Sequence, residues 1–422
     1  MDASPKRDVL RFLSRSTLTL VLIYGLLRTY AFLAAYGNLQ QYPLSGWISS
    51  DVLLFQGWAP GLSHFHFPIN DQRWQYPPGA GIFLTLPQWI SQAIHVHYEQ
   101  AFQGLVLLTD VALLIVLIWA GRRLKAPLGG LGPAWLWAFA PLFVGPILAA
   151  RFDTLVSLTA VCALVLIYVK RPAWAGIVMG VGLLIKAWPV LMIAAARRRD
   201  LPRALLGTAI GATVVVGVGL FWSNSWSFFG NEIHRGLQIE SVGALPWVIS
   251  WRFGHPQRYG YSFGALEIIS SHAHAVGLGV SLVGFALLFI LGVLRLAGRL
   301  EHVAGVDVAY AALLVSVATS RVYSPQYNVW LVAVGAAVLL DRRTQIRAAV
   351  WWVVGASFFG QLVYPIYYTQ LMQGYTSGVF VQTARIVCLL TATTIAYYRV
   401  VRGGLTKPIA AADQDLSLPA SV

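Results

Sequence analysis

The chain has 422 residues, of which 57% are hydrophobic and 11% charged, with 16 Trp and a mean hydropathy of +0.66. A soluble domain carries about a quarter charged residues, so a large soluble all-α protein is excluded and the recurring apolar runs predict a polytopic, all-α membrane protein. The net charge of +14 does not signal nucleic-acid binding, because the basic residues lie in short clusters between apolar runs and not along one face.

Lys6, Arg7, Arg11 and Arg15 precede an apolar run over 17–37. That run exceeds the roughly 7–15-residue core of a cleaved leader and fits an uncleaved span. Residues 1–16 are therefore expected in the cytoplasm. A long outer loop, 38–99, follows. Within it the segment 79–95, with Pro87 inside, is expected to lie along the outer membrane surface.

Further apolar windows predict spans near 100–120, 129–149, 153–169, 203–222, 276–296, 304–320, 325–340, 347–368 and 378–398. With the N-terminus inside, most Lys and Arg collect on the cytoplasmic side, at Arg122–Lys125, Lys170–Arg171, Arg197–Arg203, Arg295–Arg299, Arg342–Arg347 and Arg399–Lys407. Arg171 and Arg197 both favour that side, so the run 172–196 has to enter and return. About 25 residues are too few for two full spans. Two short half-helices turning near Lys186 and Pro189 solve this, an arrangement tolerated where it lines a wet cavity. The expected total is about twelve membrane helices, in a plasma-membrane protein with both termini inside. The domain covers 17–400, with outer loops 38–99 and 223–275, and residues 401–422 are expected to form a disordered cytoplasmic tail. Cys162 and Cys388 both fall in apolar segments and read as packing residues.

Charges are rare in such a chain, so each one is informative. Asp51, in SSDVLLFQGWA of the first outer loop, fits an N-cap and equally a general base that takes a hydroxyl proton at the membrane surface. WQYPPGA (Trp74–Ala80) is a rigid aromatic turn whose prolines hold Tyr76 in place. Asp71, close by, reads as a solvated turn residue and, as the alternative, a second candidate acid. Arg28 and Asp110 fall at similar depth in neighbouring spans and read as a helix–helix tether. Arg151 and Asp153, in AARFDTLV, stand where one span leaves the membrane and the next enters, and guanidinium geometry suits phosphate. Lys186 costs about 2.5–3.5 kcal/mol at membrane depth unless it snorkels, pairs with an acid or meets a lipid phosphate. The 223–275 loop interleaves Glu232, His234, Arg235, Gln238 and Glu240 with Trp247 and Trp251, while SRVYSPQYNVW places Arg321, Gln326 and Tyr327 at the outer mouth of a span. There is no Walker A, G-x-G-x-x-G, CxxC, HExxH or outer DxD motif, so no cofactor and no metal centre are expected.

An Asp in the first outer loop, the YPP turn, the R-x-D boundary, the K-x-x-P broken helix and S-P-Q-Y occur in that order. With them the chain resembles the GT-C glycosyltransferases, and among these glycosyltransferase family 87, the polyprenol-phosphate-mannose-dependent α-mannosyltransferases. The resemblance runs over about 17–400. It implies a multi-helix membrane bundle with its active site on the extracytoplasmic face, a polyprenyl-phosphate sugar as donor, and a lipid or glycan hydroxyl as acceptor. It implies inversion at the anomeric carbon, with mannose as the sugar. Asp51 becomes the base, and Lys186 and Arg151 the candidates for the lipid phosphate. Tyr76, Asp153, Arg235, Glu240, Arg321, Gln326 and Tyr327 become candidates for substrate contacts. Where family members often have histidines near the S-P motif, this chain has Gln326-Tyr327-Asn328. The competing expectation is a transporter or flippase of a lipid-linked sugar, which predicts repeated halves; none is visible in the sequence.

Overall fold

Ser16 opens the first long helix: its side chain accepts from the Thr19 amide at 3.2 Å and caps α1 (Thr17–Ala35). The computed structural model describes residues 13–37 and 45–406. Next come α2 (Ser45–Ser63), α3 (Pro78–Ile94) and α4 (Tyr98–Arg123), then the short α5 (Gly132–Ala138) and α6 (Pro141–Val144). α7 (Asp153–Tyr168), α8 (Pro172–Leu183) and α9 (Leu201–Gly219) complete the first half of the bundle. The segment 223–275 carries α10 (Phe228–His234), α11 (Leu245–Arg252) and an antiparallel hairpin of β1 (Tyr259–Ser262) with β2 (Ala265–Ile268). α12 (Ala273–Leu296), α13 (Gly305–Ala318), α14 (Tyr327–Val338), α15 (Arg347–Gln361), α16 (Tyr368–Met372) and α17 (Thr376–Thr406) follow.

Among the described residues, six helical stretches are long and apolar enough to cross a membrane: Thr17–Ala35, Tyr98–Arg123, Arg198–Gly219, Ala273–Leu296, Arg347–Ile366 and Thr376–Thr406. The other apolar helices are shorter. α13 and α14 are buried almost all round, which is the mark of helices at the centre of a bundle. The predicted span 129–149 is not one helix. It breaks into α5, α6 and a 3-10 turn over Pro146–Ala150, because Pro141 and Pro146 lack amide donors and Gly145 turns at φ 79°. The predicted span 347–368 likewise ends at Gln361 and continues through an irregular turn over Leu362–Ile366. α17 runs to Thr406, so 401–406 are helical and not part of a tail. Residues 1–12 and 407–422, most of the two expected cytoplasmic ends, lie outside the described residues.

The turn expected near Lys186 within 172–196 is present, with a 3-10 segment in place of the second half-helix. α8 stops at Leu183, the chain turns over 184–187, and a 3-10 segment over Trp188–Ala195 returns. That return is forced, because α8 and α9 pack in parallel through glycines spaced four apart. A β-carbon on Gly176 would stand 2.1 Å from the Ala204 carbonyl, and one on Gly180 2.3 Å from that of Thr208. Gly207 and Gly211 meet Ala173 and Ile177 just as closely from the other side.

Arg28 and Asp110 form the expected tether. The guanidinium bonds both carboxylate oxygens (2.5 and 3.2 Å) and donates to the carbonyls of Trp137 and Ala138, while the Trp137 indole donates to Asp110 at 2.7 Å. α1, α4 and α5 are thereby fixed around one buried pair. Cys162 and Cys388 are free thiols, half-buried and buried. α7 spans about 24 Å at 1.5 Å per residue. Asp153 stands at one end, and at the other Tyr168 donates to Asp341, which pairs with Arg343. The basic cluster at 342–347 and the charges around Asp153 therefore sit at opposite ends of the bundle.

Candidate functional site

Asp51 lies in the second turn of α2, not on a loop, so the capping role considered for it does not apply. From there its carboxylate pairs with Arg151, Nε to Oδ2 at 2.9 Å. Arg151 is 5% exposed, and its Nη1 is held by the carbonyls of Ile48 (2.6 Å) and Ala150 (2.9 Å). The arginine thus fastens α2 to the extended turn that precedes α7. The Asp51 side chain keeps 31% of its surface and faces open space.

Two residues further on, Asp153 starts α7 and is 1% exposed. Its Oδ1 accepts from Lys186 Nζ at 2.7 Å and from the Trp330 indole; Oδ2 has no hydrogen-bond partner among the described residues. Lys186 also lies over the faces of Tyr76, Phe152 and Trp330, 4.7–5.7 Å from the ring centroids. An acid and an aromatic cage thereby enclose the cation. The turn that carries Lys186 is set by the YPPG segment. Pro78 is the first residue of α3, the Gly79 amide donates to the Leu184 carbonyl at 2.7 Å, and a β-carbon on Gly79 would stand 2.6 Å from that oxygen. Tyr76 packs edge-on against Phe55, Trp58, Trp74 and Phe152.

Asp51, Arg151, Lys186, Tyr76, Arg235, Glu240, Gln326 and Tyr327 line one cavity of about 640 Å³, a volume suited to a drug-sized ligand. Tyr327, Trp330 and Trp188 form a stack along one side, with centroids 4.0 and 5.2 Å apart. Two expected contacts are placed elsewhere. Asp153 stands behind Lys186 and does not line the cavity. Arg321 faces an adjoining hollow of about 630 Å³ and donates to the Arg235 carbonyl at 3.1 Å. Glu240 is at the cavity wall, but its carboxylate is engaged by Arg385 and by Gln238 at 3.3 Å. Arg385 in turn donates to the Tyr323 carbonyl at 3.0 Å and stacks over the Tyr323 ring. Glu240 and Arg385 thus form a third buried pair, joining the 223–275 segment to α17. The side chains of Glu232 and His234 lie outside the described ones.

Sequence reasoning missed several lining residues: Trp188 and Trp330, Arg73 and Gln75, and Tyr261 and Phe263 of the hairpin. The lysine's need for partners at membrane depth was the one signal pointing to the tryptophans. For the hairpin, Phe263-Gly264 between two β-rich tetrads was the signal. The segments 38–99 and 223–275 are joined by Asn231, which donates to the carbonyls of Asp71 and Trp74 at 3.0 and 2.7 Å. Asp71 is no plain solvated turn residue. It accepts from Arg73 and from the Trp58 indole (3.0 Å), and the Arg73 guanidinium holds its carboxyl down at about 2. Among the described residues, no three His, Cys, Asp or Glu side chains gather where they could hold a metal ion.

The arrangement is a half-open hollow with an accessible carboxylate on one wall and two buried cations beside it. The family model described as Glycosyltransferase family 87 matches residues 74–320. No curated protein and no solved structure matches the chain.

Proposed function

The chain belongs to glycosyltransferase family 87, and from that premise we propose that it moves a hexose, mannose by family resemblance, from a polyprenyl-phosphate sugar to a hydroxyl acceptor at the extracytoplasmic face. Asp51 is the general base and the products are inverted. The observation that carries this reading is the placement of Asp51, Arg151 and Lys186 around one cavity, with Asp51 and Arg151 2.9 Å apart.

In this reading the acceptor oxygen attacks the anomeric carbon as the sugar–phosphate C–O bond breaks. The hydroxyl proton passes to Asp51. The donor phosphodiester, singly charged, leaves as a doubly charged polyprenyl phosphate. Negative charge therefore migrates from Asp51 to the phosphate, within one cavity that both cations border. Arg151 loses an anionic partner as the base is protonated, at the moment when the phosphate gains charge. Cations fixed in advance stabilise such a transition state without reorganising. Lys186, held by Asp153 and three aromatic faces, is the second cation. Tyr76, Arg235, Gln326 and Tyr327 are the candidates for contacts to the donor sugar. The prenyl chain leaves through the adjoining hollow, whose outer wall is Leu278, Leu282, Phe285 and Leu288 of α12, a helix with most of its surface exposed. A donor anchored in the bilayer needs such a sideways exit. The basic clusters at the opposite end of the bundle support an extracytoplasmic site.

The test is Asp51→Asn, assayed in membranes with labelled polyprenyl-phosphate mannose. The amide retains an acceptor for Arg151, so normal expression is expected together with a fall in transfer of about 10²–10⁴. Undiminished transfer would remove the base assignment. A lipid-linked-sugar flippase would keep its transport in this variant.

A further inference from the structure

The β1–β2 hairpin is a structure that needs a reason. Two strands of four residues have little stability alone, and this pair is braced at both ends. Glu267, buried, accepts from the Gly236 amide at 3.1 Å and from Ser262 Oγ at 2.7 Å. At the tip Phe263 and Gly264 both take positive φ (49° and 72°), the two-residue turn that suits a twisted hairpin. There Gln75 Nε2 donates to the Phe263 carbonyl, latching the tip to the first outer loop. The braced tip borders the cavity: Tyr261, Phe263 and Gly264 line it.

Its position relative to Asp51 is informative. Tyr261, Phe263 and Gly264 line the same cavity as Asp51, together with Arg73 and Gln75. Lys186, by contrast, is enclosed by Tyr76, Phe152, Trp330 and Asp153. The cavity that holds Asp51 thus has a cationic wall, Arg151 and Lys186, and a wall built from the hairpin with Arg73 and Gln75. With the donor phosphate on the cations, the hairpin wall is left to the molecule whose hydroxyl Asp51 deprotonates. Resting on the reading that Asp51 is the base, we propose that the hairpin, latched by Gln75, forms the acceptor subsite and that Tyr261 and Phe263 receive a polyhydroxylated ring, a sugar or cyclitol.

The chemistry of the wall selects that ligand. Aromatic faces take the C–H face of such a ring, and the side chains of Arg73, Gln75 and Ser50 offer hydrogen bonds to its hydroxyls. Tyr261 is 69% exposed, so its ring is open to a ligand. A bare phosphate is disfavoured, because the carboxylates of Asp51 and Asp71 flank the wall and Arg73 is already paired with Asp71 at 2.8 Å.

The full-length protein in lipid nanodiscs is titrated with octyl α-D-mannopyranoside and with 1-O-octylglycerol, without donor. The wild type is expected to bind the mannoside about tenfold more tightly than the glycerol ether. Tyr261→Ala should bring the ratio close to one, and Gln75→Leu should lower it in part. The double variant Lys186→Met/Asp153→Leu, which removes the cation on the other wall without leaving an unpaired buried charge, should leave it unchanged. Equal binding of the two probes by the wild type, or a ratio that Tyr261→Ala does not move, overturns the subsite. A ratio that collapses in the double variant instead overturns it too, since the ring would then sit on the cationic side. Because donor is absent, a protein that discriminates as expected yet transfers no sugar would sink the donor reading and leave the subsite standing.

Discussion

Lys186→Met removes the cation and leaves Asp153 1% exposed, with Oδ1 bonded only to the Trp330 indole and Oδ2 without a hydrogen-bond partner among the described residues. Breaking a buried pair from one side costs about 3–5 kcal/mol. Asp153→Leu makes the converse error, leaving an ammonium group in the aromatic cage. Three ring faces soften that loss, each cation–π contact contributing about 0.5–2 kcal/mol, so this variant should be the less damaged. The double variant Lys186→Met/Asp153→Leu removes both charges and should regain most of the stability. The assay follows the temperature at which the purified protein in detergent ceases to be monodisperse. The expected order is wild type, double variant, Asp153→Leu, then Lys186→Met. Donor kinetics are then measured on the double variant, where folding is no longer in question, and its KM for polyprenyl-phosphate mannose should rise severalfold. A double variant as unstable as Lys186→Met would refute the pairing argument. An unchanged donor KM would refute the phosphate role.

Other outcomes follow from the same geometry. Glu240→Leu leaves Arg385 buried and uncompensated, a loss of about 3–5 kcal/mol; expression and detergent stability should fall, and Glu240→Leu/Arg385→Met should recover them. Gly180→Leu forces a side chain into the Thr208 backbone, 2.3 Å from its β-carbon, and should separate α8 from α9. Expression and detergent stability should fall with it, and undiminished stability would refute the tight packing. Arg73 depresses the Asp71 carboxyl from 3.8 to about 2, so its contribution to stability is complete above the unfolded value and is lost only as pH falls from about 4 towards 2. The tryptophan fluorescence of the first outer loop should therefore be flat from pH 5 to 8 and change only in acid, a step that Asp71→Asn abolishes.

Much of this was legible in the sequence, because a membrane interior penalises charge so strongly that each buried ion has to be explained. Hydropathy alone determined an all-α bundle. The cost of an unpaired ion predicted the Arg28–Asp110 tether, and the shared preference of Arg171 and Arg197 for one side predicted the turn-back around Lys186. The order of motifs carried the family. What stayed hidden depended on contacts between residues far apart in the chain. Periodicity could not show that 129–149 breaks at two prolines, nor that α8 and α9 run in parallel. No local pattern reveals that Glu240, a loop acid in the sequence, is matched by Arg385, 145 residues away. The same holds for the role of Asp153 as the partner of Lys186, and for the hairpin at the side of Asp51. Composition and charge fix which residues must be buried and which must be paired; the identity of each partner is settled only when the chain closes on itself and distance, not sequence separation, sets the electrostatic energy.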